Sequence, residues 1–200
     1  MKGEVAGMCH SDLIIEQLAF CIARGGWPAS IGVDEDPALR CVYDYVEAVI
    51  NNDVSRVDSL EKSPSRVRAL LRSLARNVST TASMKTIIDD ITANEQSISE
   101  TTINSYLNAL RRIFVVEDLP AWSPALSSKT AIRLTAKRHF VDPSIAVTAL
   151  RTAPEGLLAD FNTFGLFLGR SASETFASTH KLMMATYTTT AIKVTLKPTS

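Results

Sequence analysis

Apolar residues recur at three- and four-residue spacing through the first half of the chain, the signature of helices with one buried face. Residues 11–24 offer Ser11 and Asp12 as caps and bring Ile14, Leu18 and Cys21 onto one side. Gly25-Gly26-Trp27-Pro28 ends that run. Residues 36–52 start at Asp36-Pro37 and repeat Leu39, Val42, Tyr45, Val46, Val49 and Ile50 at helical intervals. After Ser63-Pro64, Val67, Leu70, Leu71 and Leu74 face one way while Arg68, Arg72 and Arg76 project opposite. A fourth, shorter helix over about 84–93 turns Met84, Ile87, Ile88 and Ile91 inward.

The next stretch changes period. Ser97-Ile98-Ser99-Glu100 has the form of a capping box. The helix that follows, about 100–114, has Ile103, Tyr106, Leu107, Leu110, Ile113 and Phe114 as its buried stripe. Thr101, Ser105, Asn108 and Arg112 are left outward, flanked by Asn104 and Arg111. Residues 114–120 and 138–142 read as short strands, joined by a long connection containing Lys129, Arg133, Lys137 and Arg138. Helix, turn, helix, strand, basic loop, strand is the order of a winged helix, whose second helix reads duplex DNA. Small polar side chains and arginines suit a major groove. The same residues also suit any solvated helix face. Thr101, Ser105, Asn108, Arg111 and Arg112 are the candidate DNA contacts. Asp142-Pro143 caps and opens a helix over 143–150, and 155–167 forms the last one.

Composition narrows the function classes. The 21 basic and 21 acidic residues cancel, so an electrostatic site has to come from local segregation. Cys9, Cys21 and Cys41 have neither the spacing of a zinc site nor an even count, which suits a reducing cytoplasm. No apolar run is long enough to span a bilayer. None of the eight glycines lies between Gly32 and Gly156, and Gly25-Gly26 is not followed by Lys-Ser/Thr, so there is no phosphate-cradling loop. His10 and His139 stand singly, and the acidic pairs Asp89-Asp90 and Glu117-Asp118 are sequence neighbours whose side chains diverge. No catalytic residue, metal ligand, cofactor or small-molecule substrate is expected.

Four stretches carry a family resemblance: Arg24-Gly-Gly-Trp-Pro28, LNALRRIFVVEDLPAWSPALSSKTAIR at 107–133, KRHFVDPSIA at 137–146 and LLADFNTFGLF at 157–167. Over about residues 12–167 the chain resembles the bacterial and archaeal AAA-type ATP-binding proteins that end in a domain of unknown function, the 4143 domain. The resemblance implies a P-loop ATPase core upstream of Gly-Gly-Trp-Pro, and a downstream domain resembling a restriction-endonuclease-like fold. No Walker or sensor residue transfers to a position here. The expected architecture is mainly α with a small α+β part: a helical lid at 1–78, a winged-helix-like unit at 79–150 and the start of a nuclease-like domain at 151–168. On this reading Leu157, Leu158, Phe161, Phe164 and Phe167 face an absent domain, forgoing about 1.5–3 kcal/mol each. The expected function is that of a non-catalytic fragment of the ATP-binding protein, with a small winged-helix DNA-binding module as the alternative. Nuclease activity is the weakest option, because the Glu-x-Lys strand of the family is missing.

Residues 169–200 depart from the family pattern, with eight threonines and Glu174 as their one acid. Met183-Met184-Ala185 is encoded by ATG-ATG-GCN, and a two-base shift turns it into Asp-Gly. The same shift lets Thr186–Thr199 spell D-G-D-V-Y-H-Y-R-D-K-S-x-L-E-A-D together with that pair, a string of the family's kind. A frameshift near codon 168 therefore makes 169–200 an out-of-frame tail; the rival is a genuine β-branched hairpin over 185–196. The coding DNA decides between them: the shifted frame should run on without a stop and spell that string, and a stop codon within it would leave the hairpin.

Overall fold

The computed structural model describes residues 12–57, 62–78, 80–93, 98–119 and 136–168. Helices α1 (Ile15–Arg24), α2 (Glu35–Ala48), α3 (Pro64–Arg76), α4 (Met84–Thr92) and α5 (Glu100–Arg112) come first. Strands β1 (Val116–Leu119) and β2 (Lys137–Phe140) follow, then α6 (Pro143–Ala149) and α7 (Pro154–Ala159). Residues 161–168 form a last helix, α8. The fold is mainly helical with one small two-stranded antiparallel sheet, whose register pairs Val116 with Phe140 and Leu119 with Lys137. Among the described residues no helix is long and apolar enough to cross a membrane.

The expected helices form where the apolar spacing put them, and their ends show what the periodicity could not. α1 starts at Ile15: Ile14 is its N-cap, and the Ile14 backbone N–H is taken by Gln17 Oε1 at 3.2 Å. Its buried side is Ala19, Ile22 and Ala23, one residue round from the expected face; Ile14 stands exposed. α2 passes into a π-helical turn, Val49–Asp53, and a final α turn, Val54–Arg56. Ser83 and Ser99 cap α4 and α5, accepting from Thr86 N and Thr102 N at 3.1 Å each. Ser97, the other serine of the expected capping box, lies outside the described residues.

Phe114 is a correction. It does not extend the buried stripe of α5 but is 76% exposed, with φ +56°. The N–H of Val115 reaches Leu110 O at 3.0 Å and that of Phe114 reaches Arg111 O at 3.1 Å. That is a Schellman closure: it puts Phe114 in the left-handed region, swings its ring out and sends Val115 into the core instead.

The core is continuous from α1 to residue 167. At its centre lies α6, where five consecutive residues, Pro143 to Val147, are buried. It packs against α1, α2 and α3, and its small residues Ser144 and Ala146 allow that close approach. α7 lies on α1. Leu157, Phe164 and Phe167 are buried in this core, contrary to the expected exposure of a severed face; Phe161 alone of the aromatic residues there stays out, at 63%. The expected single helix 155–167 breaks at Asp160. Its carboxylate accepts from Thr163 N at 3.2 Å and Thr163 Oγ1 at 2.6 Å, capping α8. Lys129, Arg133 and the tail 169–200 fall outside the described residues.

Candidate functional site

Two of the stretches that looked distinctive in sequence, 24–28 and 137–146, meet in space. Gly25 ends α1 with φ +73°, and Gly26 N donates to Asp142 Oδ2 at 2.9 Å. Trp27 Nε1 donates to Ser144 Oγ at 2.9 Å. Asp142 Oδ1 in turn accepts from Ser144 N at 2.9 Å and Ser144 Oγ at 2.5 Å, capping α6. The Trp27 ring lies against Tyr45 of α2, centroids 4.5 Å apart. A side chain at position 25 would run into Asp142 Oδ1 and Ser144 Oγ, so both backbone sign and space require glycine there. The cluster ties α1, α2 and α6 together, and the Gly26 amide, the Trp27 indole, the Asp142 carboxylate and the Ser144 hydroxyl are spent on one another.

The residues expected to touch DNA are presented unequally. Thr101, Asn108 and Arg112 are exposed on α5, while Ser105 and Arg111 are half-buried. Arg111 Nη2 pairs with Asp118 of β1 at 2.7 Å, and its Nη1 donates to Asn108 Oδ1 at 2.9 Å. Arg138 of the basic connection donates to Ala82 O at 2.8 Å and lies 4.0 Å from Asp118. Arg111 and Arg138 thus hold the sheet to the helices. His139 is buried within β2.

A second concentration of charge was visible in sequence only as the stripe Arg68, Arg72 and Arg76. α2 and α3 wall a cavity of about 970 Å³, floored by the end of α6. Arg40, Arg68, Arg72, Arg76 and Arg151 line it, with Asp36, Glu47 and Asp90. Glu47 is the best-held carboxylate: Oε2 accepts from Arg68 Nη2 at 2.7 Å and from Asn51 Nδ2 at 3.0 Å. The Arg68 hydrogen bond holds the Glu47 carboxyl below its ordinary range against the opposing effect of burial; the nearby charges of Arg68 and Arg151 add to the lowering. Asp90 accepts from Ser73 Oγ at 3.0 Å and Asn77 Nδ2 at 3.2 Å, with Arg76 at 3.4 Å. Arg151, absent from the sequence reading, reaches the cavity because α6 ends as α5 does: Arg151 N bonds Thr148 O, Thr152 N bonds Val147 O, and Arg151 has φ +55°. No sequence signal marks that arginine, since helix ends of this form ordinarily take glycine. Among the described residues no group of three or more His, Cys, Asp or Glu could hold a metal ion.

Gly25→Ala should destabilise the fold by about 2–3 kcal/mol, combining a left-handed φ with a displaced Asp142. Trp27→Phe, which keeps the ring and loses one hydrogen bond, should cost about 1 kcal/mol. Urea unfolding followed by circular dichroism measures both; equal losses would mean that glycine at 25 carries no special constraint.

No curated protein and no solved structure matches the chain. A family model does, that of the domain of unknown function DUF8612, over residues 15–156. Those residues run from the first turn of α1 into α7 and include both partners of the Gly26–Asp142 hydrogen bond. The chain belongs to the DUF8612 family.

Proposed function

We propose that this chain works as a non-catalytic connector of an AAA-type ATP-binding protein, acting in the cytoplasm. In this reading α1–α3 are the lid-like part, α4, α5, β1 and β2 the winged-helix-like part, and α7 and α8 the start of a nuclease-like domain. One observation carries it. The Gly26 amide, the Trp27 indole, the Asp142 carboxylate and the Ser144 hydroxyl spend their hydrogen bonds on each other and on the cap of a buried helix, which is the behaviour of a joint rather than of a reaction centre. The pure chain should therefore release no phosphate from ATP above the buffer rate. Turnover proportional to protein concentration, and lost in a heat-unfolded control, would sink the reading.

A second reading takes α5 as a DNA-reading helix. What favours it is the exposure of Thr101, Asn108 and Arg112 beside an antiparallel strand pair. What weighs against it is the engagement of Arg111 with Asp118 and Asn108, which leaves Arg112, of the two candidate arginines, as the one outside an ion pair among the described residues. If α5 enters a major groove, a gel-shift titration at low salt should show duplex binding that weakens as salt rises. Arg112→Ala should then reduce the salt slope by about 1, and Asn108→Ala should weaken binding further. A flat titration removes this second function and leaves the connector reading untouched.

A further inference from the structure

The cavity between α2 and α3 is not used by either reading, and its charges do not balance where they stand. Arg40 pairs with Asp44 at 2.8 Å, Arg68 with Glu47 at 2.7 Å and Arg76 with Asp90 at 3.4 Å. Arg72 and Arg151 line the same space without an ion pair or hydrogen bond among the described residues; Arg151 is near enough to Glu47 for its charge to be felt there, and five arginines face three carboxylates, Asp36, Glu47 and Asp90. The lining therefore carries an excess of positive charge, which an anion in the cavity would offset. Arg151 has a further peculiarity. It occupies a left-handed position that glycine would fill without steric cost, and what arginine adds there is a cation at the cavity floor. Strain of this sort accumulates at ligand sites.

We propose that this cavity binds a compact phosphate-bearing small molecule, a diphosphate or phosphate monoester, gripped by Arg72 and Arg151. Guanidinium forks match phosphate oxygens two at a time and stay charged at every physiological pH. The size, about 970 Å³, lies at the upper end of the range for small-molecule sites. Charge distribution decides against an extended polyanion. A strand of nucleic acid lying along the groove would pass Asp36, Glu47 and Asp90, whereas a compact anion needs only the two unpaired arginines. The remaining arginines are already committed to carboxylates and set the shape of the walls. Half-buried Leu39 and exposed Tyr43 on the α2 wall give an apolar surface for whatever carries the phosphate.

The site is independent of the connector reading, since binding phosphate without hydrolysing it needs no nucleotide loop and no metal. Its test is a titration of the full chain with inorganic pyrophosphate, followed by phosphorus NMR and calorimetry. Saturable binding should appear, and Arg72→Ala and Arg151→Ala should each weaken it by roughly tenfold or more. Arg56→Ala, which removes an exposed arginine outside the cavity, should leave the affinity unchanged. Arg72 and Arg151 are both exposed, so the fold should survive their loss, and unchanged thermal midpoints would verify that. A parallel titration with ADP identifies the source of the phosphate: equal affinity means that only the phosphates are read, and tighter binding means that the apolar wall reads the nucleoside as well. The proposal falls if pyrophosphate does not bind into the millimolar range, or if Arg56→Ala weakens binding as much as Arg72→Ala.

Discussion

Burying α6 is the constraint on which the other helices depend. A seven-residue helix with five consecutive buried residues has no intrinsic reason to form in water, where isolated helices of that length are marginal. It exists because Asp142 caps it, Pro143 presets its first turn, and three longer helices close over it. The cap is shared: the carboxylate that satisfies Ser144 N also receives Gly26 N from the end of α1. Local capping and long-range docking are therefore one interaction, made across a sequence separation of 116 residues. Loosening it would free the start of α6 and the end of α1 together, and with them the floor of the arginine-lined cavity.

Both ends of α6 are bordered by a residue of positive φ. Beside its start the end of α1 turns at Gly25 to fit against Asp142; at its own end α6 turns at Arg151. Glycine bears the first without penalty because a side chain would collide. No such collision guards the second, and an arginine stands there at a steric cost of about 1–2 kcal/mol for the left-handed conformation. The wall opposite is shaped by the π-helical turn at Val49–Asp53, whose Asn51 folds back to hold Glu47 in place for Arg68. Such turns are rare and frequently sit at functional sites. Backbone irregularity thus flanks the cavity on two sides, where regular helix would have been simpler.

How much of this could be read in the sequence follows from the range of each interaction. Helix positions were legible because burial repeats every three or four residues: the inward residues Val67, Leu70, Leu71 and Leu74 of α3 are all in the core. The strand pair was legible from the change of period after Phe114. What was not legible depended on single backbone angles. Phe114 continues the apolar stripe on a helical wheel, yet one left-handed residue turns it to solvent. The face of α1 came out one residue round because it is set by what packs on that helix, chiefly α6 and α7, which local spacing does not announce. Asp160 falls inside the one helix expected over 155–167 and is the cap of a second. The latch was visible as two separate motifs, and nothing local says that they touch.

Charge shows the same division between what is local and what is assembled. A chain with 21 basic and 21 acidic residues has no overall field to steer a ligand, so any recognition must come from pairs that fail to cancel. On α5 the apparent cationic face is largely spent: Arg111 belongs to Asp118, and its guanidinium positions β1 instead of presenting to a partner. On α3 the opposite holds. Arg68 and Arg76 look like the ends of a solvated stripe but are neutralised by Glu47 and Asp90, which leaves Arg72 between them uncompensated. The stripe read from sequence as three equivalent arginines is two structural ion pairs flanking one cation, and Arg151 brings a second from a distant helix end. Two arginines lining one concavity without ion pairs differ from a charged helix face, because both border the space that one anion could occupy.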